Sequence, residues 1–241
     1  YLSDMAARAT SVNPTVLIWA RERAGLTVEE VAEALGRPPE VITAWETGQA
    51  APTYRQLETL AGRCYKRPIA VFFFPAPPAE RTTESEFRTL PTDEVQRLDS
   101  DTRYALREAR AFQESVRELS AGKSPADRQI LNDISASLQD SVGSLVERVR
   151  EYLGIPVEVQ VEWRDDERAF KEWRAAVESV GVFVFKRSFD QDNVSGFCVH
   201  DDEFPVIMIN NSTSFTRQSF TLFHELGHLL YHVSGITTED T

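Results

Sequence analysis

The feature that most constrains this chain lies near its end, in Ser214-Phe215-Thr216-Arg217-Gln218-Ser219-Phe220-Thr221-Leu222-Phe223-His224-Glu225-Leu226-Gly227-His228-Leu229-Leu230-Tyr231-His232. It sets His-Glu-x-x-His inside an apolar, helix-forming run. Residues four apart on an α-helix share a face, one turn above the other, so His224 and His228 can offer two imidazoles to one metal ion. Glu225 follows the first ligand and can reach a metal-bound water as general base. Zinc suits the set, because neutral imidazole is a good borderline ligand and zinc brings no redox chemistry. The chemistry so indicated is amide hydrolysis: the ion acidifies the water and polarises the carbonyl, and Glu225 takes the proton. Ordinary helices also contain this five-residue pattern by chance, so its surroundings decide. Leu222, Phe223, Leu226, Leu229 and Leu230 supply a core-facing stripe. A helix this apolar has little reason to carry His224, Glu225 and His228 unless they line a cleft. Gly227 costs about 1 kcal/mol against alanine within a helix, which we read as room for another chain segment beside the metal. His232 continues the row but lies roughly 12 Å along the axis from His224. That is too far to join the same site, and a supporting or structural role is expected of it.

A chain of 241 residues has room for one large or two modest domains. Its net charge of −12 argues against a protein that coats nucleic acid generically. The charge is uneven, however. Residues 1–90 hold 10 Lys and Arg against 11 Asp and Glu, residues 91–180 hold 13 against 19, and residues 181–241 hold 3 against 8. Any DNA-facing surface is therefore expected in the first 90 residues. Two cysteines, Cys64 and Cys198, make no disulfide framework, and without a secretory signal the expected location is the cytoplasm. No apolar run approaches the length of about 18 residues that a membrane span needs, so no membrane partner is expected.

The first segment has the punctuation of a compact helical module. Asn13-Pro14 opens a helix over about Thr15–Ala24, ended by Gly25. Thr27 and Glu30 form a capping box for a second helix, stopped by Gly36. Pro38-Pro39-Glu40 opens a third helix through Glu46, Thr53 caps a fourth, and Arg67-Pro68 begins a short fifth piece ending in Phe72-Phe73-Phe74-Pro75. Residues 15–74 resemble the Cro/repressor-type helix-turn-helix domain of the XRE family. Leu26-Thr27-Val28-Glu29-Glu30-Val31-Ala32 resembles its second helix, and Val41-Ile42-Thr43-Ala44-Trp45-Glu46-Thr47-Gly48 with Pro52 resembles its third helix and following turn.

In that family the third helix enters the major groove, so the resemblance implies DNA as a partner. The early exposed positions here are Pro38, Pro39, Glu40, Thr43 and Ala44. None is an Arg, Lys, Asn or Gln, the side chains that read purine edges bidentately. Glu40 can accept from cytosine, Thr43 lies on the same helix, and Arg37, Thr47, Gln49, Tyr54 and Arg55 can touch phosphates. Weak or partner-assisted readout is therefore expected, and a homodimer is a separate expectation. The alternative is a dimerisation or peptide-binding domain on a repressor scaffold.

Residues 75–92, with Pro75, Pro77, Pro78 and Pro91, read as a linker or extended arm. Between 93 and 153 the pattern is helical: Asp93 to Ala121 without Pro or Gly, a second helix carrying Ile130, Leu131, Ile134 and Leu138, and a third with Leu145, Val146, Val149, Tyr152 and Leu153, ended by Gly154. Asp165 or Asp166 then caps a helix to Val180. Strands are expected at 182–185, 194–199 and 205–209, with His200-Asp201-Asp202-Glu203 as a turn. A small sheet before a His-Glu-x-x-His helix is a usual metalloprotease layout, in which a sheet edge can hold an extended peptide.

Residues from about 140 to 241 are similar to the ImmA/IrrE family of metallopeptidases. The likeness is carried by Gly181-Val182-Phe183-Val184, Ser195-Gly196-Phe197, Pro205-Val206-Ile207-Met208-Ile209-Asn210 and the stretch from Phe220 to Leu230. A repressor-like domain in front is an arrangement that family uses. The resemblance implies Zn2+ as cofactor and a regulatory role, such as cleaving or inactivating a repressor; some two-domain relatives are encoded as toxin–antitoxin-like regulators. It also implies a third ligand, a carboxylate on a helix well past the second histidine. The sequence stops at Thr241, and Glu239 and Asp240 are poor candidates. The chain is thus expected to be a fragment whose site is completed beyond residue 241, and to be inactive in this form.

The expected architecture is α+β and mostly helical. A five-helix helix-turn-helix domain (1–74) is followed by a linker (75–92) and a zincin-like domain (93–241), helical over 93–180, with a small antiparallel sheet packed on the His-Glu-x-x-His helix over 181–241. Two functions stay open. One is a DNA-associated zinc endopeptidase acting on a protein substrate. The other is a transcription regulator or antitoxin whose peptidase-like half is a non-catalytic sensor or scaffold for a toxin or repressor partner.

Overall fold

The structure, a computed structural model, describes residues 11–80, 98–137, 139–188 and 194–238. These divide into two units, one built on residues 11–80 and 98–104, the other on the residues from 105 onward.

In the first unit, local sequence signals set the helix ends. Asn13 Oδ1 accepts from the Thr15 N–H at 3.0 Å and opens α1, Pro14–Ala24, which Gly25 closes at φ 72°. The Thr27–Glu30 capping box opens α2, Val28–Leu35, with bonds of 2.7 and 3.2 Å, and Gly36 ends it. Pro39 starts α3, Pro39–Glu46. A second capping box, Thr53 with Gln56, opens α4, Tyr54–Thr59, which runs into a π-helical turn at Leu60–Cys64. A 3-10 turn at Ile69–Phe73 completes the five helical pieces. Val16, Ala20, Val31, Ile42, Leu57 and Phe72 meet in the core. Beyond these, Glu80 is bonded to Arg67, whose guanidinium lies 4.1 Å from the Trp19 ring. Most of the expected linker lies outside the described residues.

The second unit begins along α5, Ser100–Leu119, whose start is fixed by Asp99 Oδ1 accepting from the Thr102 N–H at 2.7 Å. The helix expected over Ile130–Leu138 is only one turn, α6, Ile130–Asp133. Ile134 is already extended, at φ −110° and ψ 112°. Ser135 and Ser137 are weak helix formers, and the Ile130 N–H is held by the Val180 carbonyl at 3.0 Å. Buried Ile130, Leu131 and Ile134 therefore come from a segment laid across the core, which mimics helical spacing. Next come α7, Val142–Leu153, closed by Gly154, a short α8, Val157–Gln160, and α9, Asp166–Ser179, capped by Asp165.

Strands β1 (Phe183–Arg187), β2 (Val194–Val199), β3 (Val206–Asn210) and β4 (Gly235–Thr238) form one sheet in the order β1-β3-β2-β4, with α10, Phe215–Leu230, between β3 and β4. The expected antiparallel sheet is in fact mixed. The turn after His200 sends β3 back along β2, with Phe197 opposite Met208, and β1 then pairs parallel to the far edge of β3, with Phe185 opposite Met208. β4 adds a fourth strand antiparallel to β2, with Ile236 opposite Phe197. On one face Val184, Cys198 and Ile207 pack against Phe170, Trp173 and Leu226 of α9 and α10. On the other, Phe112 of α5 lies 4.6 Å from the Phe185 ring, and Gln113 Nε2 donates to the Phe204 carbonyl at 2.7 Å. Covered on both faces, β2 and β3 are buried at every residue.

Candidate metal centre

Helix α10 starts where Ser214 Oγ accepts from the Arg217 N–H at 3.2 Å. Leu222, Leu226 and Leu229 turn into the core, and this rotation leaves His224 and His228 together at its margin. Their Nε2 atoms are 3.1 Å apart, with the rings at 66°. Burial holds both imidazoles below the usual histidine range; the Arg217 charge adds to this at His224, and His224 adds to it at His228. Two rings that give up their protons readily thus bring their Nε2 atoms to one point. Tetrahedral zinc, with nitrogens at roughly 2.0–2.1 Å, sets ligand nitrogens roughly 3.3 Å apart, so this donor pair fits the ion.

Glu225 is fully enclosed. The Thr237 hydroxyl of β4 donates to Oε1, while Oε2 is buried with no hydrogen-bond partner among the described residues. Burial pushes the carboxyl up to about 7, against the opposing pull of hydrogen bonding from Thr237 and Cys198. Gly235, two residues before Thr237 and so on the same face of β4, sits against the other key side chain: a Cβ there would come 2.3 Å from His228 Cδ2. One face of β4 therefore touches both His228 and Glu225. The close approach expected at Gly227 is not found, for a Cβ there would meet nothing within 4 Å. The tight contacts belong to Gly235, and to Gly196 of β2, where a Cβ would lie 2.5 Å from Thr221 Cγ2.

Among the described residues no third ligand atom joins His224 and His228. Glu239 and Asp240 lie outside those residues. His232 does not continue the helical row, because the chain turns left-handed there, at φ 56°, and its Nδ1 lies 3.1 Å from His200 Nε2.

A peptidase-family model described as the IrrE N-terminal-like domain matches residues 177–241, which hold the four described strands and α10. A model described as a helix-turn-helix domain matches residues 16–64. The chain joins a helix-turn-helix domain to an IrrE N-terminal-like domain. No curated protein and no solved structure matches it significantly. The IrrE-like domain belongs to a metallopeptidase family, which implies a metal, and the His224–His228 pair has the chemistry to hold one.

In the helix-turn-helix domain, all seven residues anticipated at a DNA surface are exposed: Arg37, Glu40, Thr43, Thr47, Gln49, Tyr54 and Arg55. Two of them have committed their hydroxyl protons to their own helix. Thr43 Oγ1 donates to the Pro39 carbonyl at 3.2 Å, and Thr47 Oγ1 to the Thr43 carbonyl at 2.8 Å. Glu46 is held by Arg21 through bonds of 2.8 and 3.1 Å, which pin the end of α3 to α1. Nothing in the local pattern around either residue marks this pair. The opposite charges were visible, but their separation of 25 positions hides the contact. No described helix is long and apolar enough to cross a membrane.

Proposed function

We propose that the protein is a DNA-associated, zinc-dependent endopeptidase of bacterial transcriptional regulation, acting in the cytoplasm to cleave or control a repressor or other partner protein. In this reading residues 1–74 bind DNA, residues 75–92 link, and residues 93–241 belong to the peptidase half. The observation that carries the proposal is the convergence of two neutral imidazoles, 3.1 Å apart, one turn apart on the helix that also carries Glu225. His224 and His228 would hold the zinc, which when bound supplies a Lewis acid for the scissile carbonyl and lowers the pKa of water. Glu225 is the proton acceptor. A carboxyl near 7 is poised to take a proton at neutral pH and return it to the leaving amine. Its unpaired Oε2 is the atom free to do so, and the Thr237 hydroxyl holds the other oxygen. The helix-turn-helix domain brings this half to DNA, with Arg37, Thr47, Gln49, Tyr54 and Arg55 on phosphates and Glu40 and Thr43 nearest the bases.

The second reading, a regulator or antitoxin with a non-catalytic peptidase-like half, draws on the enclosure of Glu225 under β4. Metal analysis and a proteolysis assay on the full-length protein, against co-encoded repressors or toxins, separate the two. The enzyme reading expects bound zinc lost on His224→Ala or His228→Ala, and cleavage lost with zinc retained on Glu225→Gln. Zinc binding without cleavage of any such partner favours the sensor. Cleavage of a confirmed substrate by Glu225→Gln at the parental rate removes Glu225 from the chemistry.

A further inference from the structure

The chain has four histidines, and they form two close pairs. The His224–His228 pair belongs to the site described above. The second pair lies elsewhere: His200 follows β2, and His232 follows the end of α10. His200 Nε2 and His232 Nδ1 are 3.1 Å apart, with the rings crossing at 73°. Asp202 Oδ1 lies 3.9 Å from the same His200 nitrogen, and the three donor atoms all fall within 4.8 Å of one another. We propose that His200, Asp202 and His232 form a second, separate binding site for a divalent transition-metal ion of the zinc type.

Three features of the surrounding backbone argue for a built site. His232 occupies the left-handed position that closes a helix, with its N–H bonded to the Leu229 carbonyl at 2.8 Å and the following N–H of Val233 to His228 at 3.1 Å. Glycine is the usual residue there, since a side chain at positive φ costs stability; histidine at this point turns its ring toward His200. The His200 N–H donates to Ser234 Oγ at 3.0 Å, fastening the end of β2 to the segment that carries His232. Asp201 accepts from the N–H groups of Glu203 and Phe204, both at 3.0 Å, and pairs with Arg117 at 2.6 Å. Asp201 thus shapes the turn, while its neighbour Asp202 stays exposed beside the two rings.

The chemistry suits the ion. Two imidazole nitrogens and a carboxylate, with water completing the shell, are donors that Zn2+, Ni2+ and Cu2+ accept and that Mg2+ and Ca2+ do not favour. Opening the nitrogens from 3.1 Å to roughly 3.3 Å admits a tetrahedral ion. Once bound, the ion would clip the β2–β3 turn to the end of the helix that carries His224, Glu225 and His228. The inference stands whether or not that first pair holds zinc.

Long-range 1H–15N spectra of the imidazoles can follow all four histidines of the unsubstituted protein during titration with Zn2+. The expected result is that His200 Nε2 and His232 Nδ1 move together and saturate, with Mg2+ producing no such change. In a His224→Ala/His228→Ala protein the same two signals should still respond, and isothermal calorimetry should still register about one ion per chain. His200→Ala or His232→Ala should abolish that remaining event, and Asp202→Asn should weaken it about tenfold, or about 1.4 kcal/mol. Unmoved His200 and His232 signals in the unsubstituted protein at millimolar zinc overturn the inference, and so does unchanged stoichiometry on His200→Ala. The pair is then a contact between two imidazole rings and nothing more.

Discussion

Burial of Glu225 raises its carboxyl to about 7 from an ordinary value of 4.5. In the metal-free protein the folded state therefore keeps this proton at pH values where the unfolded chain has released it. Stability falls as pH rises from about 4.5 to about 7 and changes little from this group beyond that. The loss is on the order of 3 kcal/mol, from about 1.4 kcal/mol per unit. Glu225→Gln removes the ionisation and keeps an acceptor for the Thr237 hydroxyl. The metal-free variant should match its parent near pH 4 and exceed it at pH 8, as read by urea denaturation at the two pH values; an identical pH profile for both would sink the argument. The His224–His228 pairing was legible in the sequence because helical spacing alone brings the two rings together. The enclosure of Glu225 was not, because it depends on Thr237 of a strand that pairs with β2, some forty positions earlier. His232 was half legible: its exclusion from the first site follows from distance, but its left-handed turn toward His200 does not.

Strand β2 and helix α10 meet closely at a glycine, Gly196, that its spacing did not single out. A Cβ on Gly196 would lie 2.5 Å from Thr221 Cγ2 and 2.7 Å from the Met208 carbonyl, so β2 and α10 can touch only without one. Gly196→Ala should cost about 1–3 kcal/mol through overpacking, measured as a lowered urea midpoint. Gly227 has open space beside it, so Gly227→Ala should be neutral or stabilise by up to about 1 kcal/mol. If Gly227→Ala destabilises as strongly as Gly196→Ala, the packing described for α10 is wrong. In the helix-turn-helix unit, Glu46→Ala leaves the guanidinium of Arg21, a side chain only 16 % exposed, with the Leu26 carbonyl as its remaining partner, and should cost about 2 kcal/mol. Helix ends such as Thr27–Glu30 and Gly25 were readable because capping is settled within a few residues. The short α6 and the strand β4 were not, since Ile130–Ile134 takes its shape from the core it crosses and β4 from the edge it covers.

Across the whole chain the charge is divided in a way that bears on DNA. Residues 1–90 are nearly balanced, whereas residues 91–180 carry 19 acidic against 13 basic side chains and residues 181–241 carry 8 against 3. In the proposed reading a duplex meets a nearly neutral domain followed by a strongly acidic stretch of chain, so lowering the salt strengthens phosphate attraction and acidic repulsion together. On the exposed face of α3, Thr43 and Thr47 already donate to their own backbone, and no Arg, Lys, Asn or Gln stands at its early positions. Affinity should therefore come mainly from Arg37 and Arg55 on phosphates, with little discrimination between sequences. Arg37→Ala and Arg55→Ala should each weaken binding to every duplex by a similar factor and reduce the salt slope by about 1, whereas Glu40→Gln should change preference among sequences more than mean affinity. Fluorescence anisotropy of the full chain on labelled duplexes, over a range of salt, reads both quantities. A loss confined to one sequence on Arg37→Ala would mean that this arginine reads a base. No binding to any duplex at low salt, the protein's own promoter region included, would instead make the exposed face of α3 a surface for another protein.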